Sequence, residues 1–411
     1  MSKVYNAYCR IFQSVFKIVL GTEIMNWKEP ELFEGPGSVL KLPGRIKELG
    51  FKKVLVVTDK NLMSLGLPAP FLAGLTECGV EYALFDDVLP NPSVETAEKA
   101  KQAYIENHCE ALVAFGGGSP MDTAKCAGAL YANPGKNVRK LWGLMHVTHK
   151  IPPFFAIPTT AGTGSEVTLA SVITDEGTHE KRVIMDQKIR AGYAVLDPEL
   201  TVSLPADMTA ATGMDALTHA IEAYIGNYNV KNTPEYAVSA IKLIFENLYN
   251  AYTDGSDLNA RMNMLKAAYD AGMAFTRACC GYVHAIGHNL GGFYHVPHGW
   301  TMAIILPHML DFFGDKAYYK LARLSEATNT RTDGTDKEKA LAFISAIREL
   351  NRKMGIPEGF TCIKDEDIPT IADRALLEGN PMYPVPRLMD KNDCIKIIKG
   401  LRAANDSEQV S

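Results

Sequence analysis

The chain has no large excess of one charge, no paired-cysteine spacing, no uninterrupted apolar run of membrane length and only three tryptophans, and most of these absences exclude a class of protein. Its 42 Lys and Arg are interspersed with 47 Asp and Glu, for a net charge of −5. That leaves no basic stripe or patch for a nucleic-acid backbone, so small molecules are the expected partners. The eight cysteines include the neighbours Cys279 and Cys280 but no CxxC pair. In a chain this long they read as free thiols in a reducing compartment, and the cytoplasm is the expected location. The first residues, MSKVYNAYCRIFQSVFKIVLG, begin basic and turn apolar as a signal peptide does. Gln13 and Lys17 interrupt the apolar stretch, however, and no small-residue cleavage site follows. Tyr5, Tyr8, Phe12, Val15, Phe16 and Val19 recur at helical spacing instead, which predicts an amphipathic helix over 1–25 packed on the domain or on a neighbouring subunit.

What is present points to two domains, because 411 residues exceed one compact core. From Phe51 to Asp197 short apolar runs alternate with helix-like segments: Val54–Thr58, Tyr82–Phe85, Ala111–Phe115 and Phe154–Pro158, with shorter candidates at Val172–Thr174 and Ala194–Leu196. Such alternation predicts a mostly parallel sheet wrapped by helices, with ligands gathered where strand ends meet helix starts. After Pro205 the character changes, and Ala210–Ile225, Tyr236–Tyr252 and Leu258–Phe275 carry helical spacing with few β-branched runs. The expected organisation is an α/β domain over 1–204 and an all-α domain over 205–411, with a loose polar tail after Ala403.

Gly116-Gly117-Gly118-Ser119 follows the apolar run ending at Phe115, and Pro120 opens the helix-like Met121-Asp122-Thr123-Ala124-Lys125. A strand, tight turn and helix start in that order bring backbone N–H groups and a helix N-terminus close to a pyrophosphate. Asp59 ends the run from Val54, where a carboxylate can accept from both hydroxyls of an adenosine ribose and repel a 2′-phosphate, favouring NAD over NADP. The loop Pro158-Thr159-Thr160-Ala161-Gly162-Thr163-Gly164-Ser165 adds hydroxyls and glycines at another strand end. Each feature has a plain alternative, a helix cap for Asp59 and ordinary turn chemistry for the loops. The acid precedes the glycine turn, so this is not the usual dinucleotide fingerprint, in which G-x-G-x-x-G comes first.

Asp215 and His219 stand four apart on a predicted helix, as do His284 and His288, and His298 follows closely. Residues four apart share a helix face, so each pair can reach a single ion. One Asp with several His is a mixed oxygen and nitrogen set suited to Fe(II) or Zn(II). A divalent ion with an open position acts as a Lewis acid on an alcohol oxygen, and an imidazole titrating near neutrality can relay the proton. His108, His146, His149 and His179, taken singly, read as ordinary polar residues.

The segments GGGSPMDTAK, PTTAGTGSEVT, ATGMDALTHAIEAY and HAIGHNLGGFYHVPHG together resemble the iron-containing (group III) alcohol dehydrogenases, over a match from about Phe33 to near Asn380. The resemblance implies a dinucleotide-binding α/β domain, a helical metal-binding domain and a cleft between them. It implies Asp215, His219, His284 and His298 as metal ligands, with His288 as a catalytic non-ligand near nicotinamide and substrate. Asp59, Gly117, Gly118, Ser119, Asp122, Thr159, Thr160, Thr163, Ser165 and Lys181 fall around the NAD cofactor. Phe275 and Ala170 fall in the substrate pocket, an apolar lining that favours unbranched alcohols over diols. The implied activity is hydride transfer between NAD(H) and a small primary alcohol or aldehyde, with iron the implied metal and zinc the alternative. A polyol dehydrogenase of the propanediol, lactaldehyde or glycerol type is the nearest alternative. An NADPH-linked aldehyde reductase is opposed by Asp59, and a non-catalytic assembly protein by the intact ligand set. The resemblance also implies a homo-oligomer, most simply a dimer. The N-terminal helix precedes the region of resemblance, and His295 beside Tyr294 is an additional histidine that reads best as surface.

Overall fold

The computed structural model describes residues 3–24, 28–177, 180–230 and 232–403; His179 and the tail after Ala403 lie outside them. The chain divides into two compact units, one of residues 27–205 with 254–272, the other of residues 1–26, 206–253 and 273–411.

In the first unit six parallel strands form one sheet in the order β1-β9-β6-β4-β2-β3. The strands are β1 (Glu31–Glu34), β2 (Lys53–Val57), β3 (Glu81–Phe85), β4 (Ala111–Gly116), β6 (Phe154–Pro158) and β9 (Tyr193–Leu196). Strands β4 and β6 are buried along their whole length and β2 nearly so, which explains why their sequences are continuous apolar runs and not alternating ones. Successive residues nevertheless serve opposite faces. Val54, Val56, Val113, Phe115, Phe155 and Ile157 pack in one core, while Leu55, Val57, Leu112, Ala114, Phe154 and Ala156 pack in another. A smaller three-stranded sheet joins β5 (Gly143–Leu144), β8 (Glu180–Met185) and β7 (Ala170–Asp175) in that order, with β7 and β8 antiparallel.

The second unit is built of helices, including Ala206–Ile225, Thr233–Thr253, Tyr282–Tyr294 and His298–Phe313. No helix among the described residues is long and apolar enough to cross a membrane. All eight cysteines are free, the neighbours Cys279 and Cys280 included.

The division differs from the one expected at 204/205 in two ways. The helix Leu258–Ala278 is shared, its first fifteen residues through Gly272 grouping with the sheet unit. The cause is a backbone approach that only glycine permits: a Cβ on Gly272 would stand 2.8 Å from the Gly164 carbonyl oxygen, and one on Gly164 2.6 Å from that of Ala268. The N-terminal helix Lys3–Ile24 groups with the helical unit instead of the α/β half. Its expected apolar face is divided: Phe12 and Phe16 are half-buried, with Phe16 packed on Tyr228. Cys9 and Gln13 are buried, whereas Tyr5, Tyr8 and Val15 are exposed together with Val4, Ile11 and Ile18. Hydrogen bonds from Arg10 and Gln13 to main-chain carbonyls set that orientation, and apolar periodicity carries no sign of them.

Candidate metal centre and nucleotide loops

Four predicted ligands converge in the helical unit. Asp215 and His219 sit one turn apart on Ala206–Ile225, His284 lies in the first turn of Tyr282–Tyr294, and His298 opens His298–Phe313. The last helix can start where it does because residue 299 is glycine, since a Cβ there would meet the Ala211 carbonyl oxygen at 2.1 Å. That close approach carries His298 to Asp215, one helical turn beyond Ala211.

Asp215 Oδ1 stands 3.3 Å from His298 Nε2, 3.8 Å from His284 Nε2 and 3.9 Å from His219 Nδ1. Ligand atoms held at roughly 2.0–2.2 Å around a tetrahedral ion lie about 3.4 Å apart, so these separations suit one ion. Asp215 Oδ1, His219 Nδ1 and His284 Nε2 are buried without a hydrogen-bond partner. Leaving three such atoms orphaned in one spot is costly unless a cation takes them. The donor set therefore fits a divalent first-row ion.

Electrostatics agree. Burial lowers the His219 pKa to about 3, so its imidazole is neutral and free to coordinate. For His284 burial acts the same way, but the carboxylates of Glu222 and Asp215 outweigh it and raise the value to about 9, a field that favours positive charge. Cys280 also lies near His219 and His284. Burial, then the charge of Glu222, holds its thiol well above the usual range.

Glu222 organises this shell. Its Oε2 accepts from His284 Nδ1 at 2.6 Å and from the Gly281 amide at 2.9 Å, and its Oε1 accepts from the Val283 amide at 2.8 Å. The carboxylate thus satisfies the N-terminus of the helix bearing His284 and engages Nδ1, so that Nε2 is the nitrogen turned toward Asp215. Gly281 is required beside it, because a Cβ would meet Glu222 Oε1 at 2.5 Å. Sequence reading passed over Glu222, although its place one turn after His219 was a usable signal.

His288, the predicted non-ligand, stacks on His298 with ring centroids 5.4 Å apart, and its Nδ1 meets Glu378 Oε1 at 2.7 Å. Phe275 stacks on His219 at 4.1 Å, so this predicted pocket residue covers a predicted metal ligand. His295 is exposed and ends its helix in the left-handed conformation, in keeping with a surface position.

In the sheet unit, β2, β4 and β6 are neighbours, so the segments following them meet at one edge. Thr159 donates its amide to the Gly116 carbonyl at 3.2 Å. Thr160 and Thr163 press against the glycine turn so tightly that a Cβ on Gly117 would meet Thr160 Oγ1 at 3.1 Å and one on Gly118 would meet Thr163 Cγ2 at 3.0 Å. The helix Gly118–Ala132 begins there with its free amides, Ser119 in its first turn. Asp59, half-buried at the end of β2, caps Lys60–Ser64 by accepting from the Leu62 amide through Oδ1 at 2.9 Å. The cap reading and the ribose reading are compatible, because capping engages one carboxylate oxygen.

Asp122 and Ser165 are committed inward. Asp122 accepts from Ser165 Oγ and from the Val172 amide, both at 3.1 Å. The fully buried Lys125 ammonium donates to the carbonyls of Ser165, Thr168 and Ala170 at 2.6, 3.1 and 2.9 Å. Burial pulls Lys125 down to about 8 and pushes Asp122 up to about 6. These residues brace the hydroxyl-rich loop. Lys181 stands on β8 opposite Thr174, near enough for its charge to lower the Asp122 pKa. Ala170 begins β7.

Two family models match the chain: "Iron-containing alcohol dehydrogenase" over residues 30–198 and "Fe-containing alcohol dehydrogenase family, C-terminal" over residues 209–401. The chain is 38% identical over 368 residues to an NAD-dependent methanol dehydrogenase of Bacillus methanolicus, covering 89% of this chain and 96% of that one. It is 39% identical over 372 residues to a 1,3-propanediol dehydrogenase of Citrobacter freundii, with the same coverages of 89% and 96%. Among solved structures, a 1,3-propanediol oxidoreductase superposes with a TM-score of 0.88 at 37% identity, covering 92% of this chain and 99% of that one.

Proposed function

The chain belongs to the iron-containing alcohol dehydrogenase family, and on that premise we propose that it interconverts a small primary alcohol and its aldehyde with NAD(H) as hydride carrier. The observation that carries this reading is the set of buried, unpartnered atoms Asp215 Oδ1, His219 Nδ1 and His284 Nε2. A divalent ion held there supplies a Lewis acid for the alcohol oxygen, and nicotinamide supplies the hydride acceptor. Asp215, His219, His284 and His298 would hold the ion. Phe275 shields His219 from water. His288, with Nδ1 engaged by Glu378, keeps Nε2 for proton exchange with the substrate. Gly117, Gly118 and Ser119 with Thr159, Thr160 and Thr163 receive the pyrophosphate side of NAD, Asp59 its ribose, and Lys181 lies at the margin; Asp122 and Ser165 shape the loop from behind. Iron is the metal the family name favours, with zinc as the competitor by general affinity.

NADH consumption with a panel of short aldehydes tests the proposal, using anaerobically purified protein and chelated protein reloaded with Fe(II) or Zn(II). Turnover restored by one ion supports it; metal-loaded protein inactive with every alcohol, aldehyde and polyol overturns it. His284→Ala should lose both metal and turnover, whereas His288→Ala should keep the metal and turn over slowly. A polyol substrate of the propanediol, lactaldehyde or glycerol type is the second reading, supported by the propanediol relatives. Ala170 and Phe275 as pocket residues favour the unbranched alcohol. We also propose a cytoplasmic homo-oligomer, most simply a dimer; the exposed Val4, Ile11 and Ile18 of the N-terminal helix support it, and a monomer by light scattering would count against it.

A further inference from the structure

The segment Pro381-Met382-Tyr383-Pro384-Val385-Pro386 carries three prolines, so half of its residues have no amide hydrogen to organise it from within. Apart from the Val385 amide, which donates to the Tyr383 carbonyl at 2.9 Å, its carbonyls are held from outside. Tyr228 Oη donates to the Met382 carbonyl at 2.9 Å and the Asn227 amide to that of Pro384 at 2.8 Å. The N-terminal helix supplies further donors: Gln13 Nε2 to the carbonyls of Tyr383 and Pro381 at 2.7 and 3.2 Å, and the Arg10 guanidinium to those of Val385 and Pro386 at 2.7 and 2.9 Å. Arg10 also donates to Gln13 Oε1 at 2.9 Å, and Phe16 packs on Tyr228 with ring centroids 5.7 Å apart. The segment thus fixed presents Tyr383, whose hydroxyl donates to Glu378 Oε1 at 3.0 Å, the oxygen that also meets His288 Nδ1 at 2.7 Å. Burial, then the Glu378 charge, raises the Tyr383 pKa well above its ordinary value, so the phenol remains a donor.

We infer that Glu378 and Tyr383 are positioning residues for His288, and that the N-terminal helix, through Gln13 and Arg10, holds the loop that aims them. The helix is then part of the catalytic apparatus and not only a surface for other subunits. The relay orients the His288 ring: Glu378 engages the Nδ1 proton, which leaves Nε2 as the nitrogen toward the reacting side. This rests on the proposed role of His288 in alcohol oxidation.

The test uses the full-length, metal-loaded enzyme with Gln13→Leu, Tyr383→Phe and Glu378→Gln, each alone and combined with His288→Ala. Expected are a loss in kcat of about tenfold to a hundredfold for Glu378→Gln and severalfold for the other two, with KM and metal content unchanged. In the His288→Ala background each should cost less than twofold, because the group it positions is gone. Histidine-selective 15N NMR gives a readout without turnover: the His288 ring, identified by its loss in His288→Ala, should carry its proton on Nδ1 in the wild type and shift toward the Nε2 tautomer in Gln13→Leu and Tyr383→Phe. An unchanged His288 signal and kcat in Gln13→Leu, or an equal loss with and without His288, overturns the inference. An enzyme inactive with every alcohol and aldehyde but showing the tautomer shift would overturn the proposed function and leave this coupling intact.

Discussion

Glu222 accepts the ring N–H of His284 across 2.6 Å, and with the same carboxylate it ties down the first amides of the helix on which that histidine rides. One side chain therefore sets both where His284 stands and which nitrogen it offers. Glu222→Gln retains the shape but can turn a donor toward His284, which no longer gains a charged acceptor. Metal affinity should fall about tenfold to a hundredfold, measured by competition with a chromogenic chelator. Unchanged affinity would mean that Glu222 only caps the helix.

Removing the ion should destabilise the protein more than the loss of one surface ligand would. Asp215, His219 and His284 each keep a buried atom without a partner. Binding linkage gives about 4 kcal/mol at a ligand concentration a thousandfold above Kd. Calorimetry should show a lower Tm after chelation, recovered on readdition of Fe(II) or Zn(II). A Tm indifferent to both ions would argue that the cradle holds none.

Lys125→Met should loosen the loop from Pro158 to Thr168. The ammonium bonds three carbonyls and the hydroxyls of Ser165 and Thr168, and an apolar chain of similar length removes a buried donor from all five. A cost of about 3–5 kcal/mol is expected by analogy with breaking a buried charged group's contacts. Denaturant titration reads the loss. NAD binding should weaken in parallel, since Thr160 and Thr163 rest on that loop against the glycine turn.

If Asp59 takes the ribose as proposed, Asp59→Gly should raise the use of NADP relative to NAD, because it removes a charge that would face a 2′-phosphate. Glycine is the informative substitution: it replaces an N-cap for only a few tenths of a kcal/mol, so the Lys60–Ser64 helix survives. Steady-state ratios of kcat/KM for the two cofactors decide it. A ratio that does not move would leave Asp59 as a cap alone.

Much of this was legible in the chain. Fully buried parallel strands must be apolar on both faces, so Ala111–Phe115 and Phe154–Pro158 stand out as runs, and the acid, glycine turn and threonine loop follow such strands directly. Helical spacing alone placed Asp215 and His219 on one face. What sequence could not supply was any relation without a period. Glu378 lies ninety residues after His288, and nothing in the intervening chain marks the pair. The N-terminal helix shows the same limit: its apolar spacing predicted the helix, but the inward face was chosen by Arg10 and Gln13, which satisfy carbonyls more than 360 residues away.

The sequence by itself determined local periodicity, the chemical types of the ligands and the strand-end loops, because these depend on neighbours within a turn or a strand. Only the tertiary structure decided which atoms meet: Gly299 against Ala211 bringing His298 to Asp215, Gly164 against Gly272 drawing a helix to the sheet unit, and Glu222 selecting the nitrogen of His284. Those relations depend on close backbone approach and on satisfying buried polar groups across long separations, and a one-dimensional pattern does not record either.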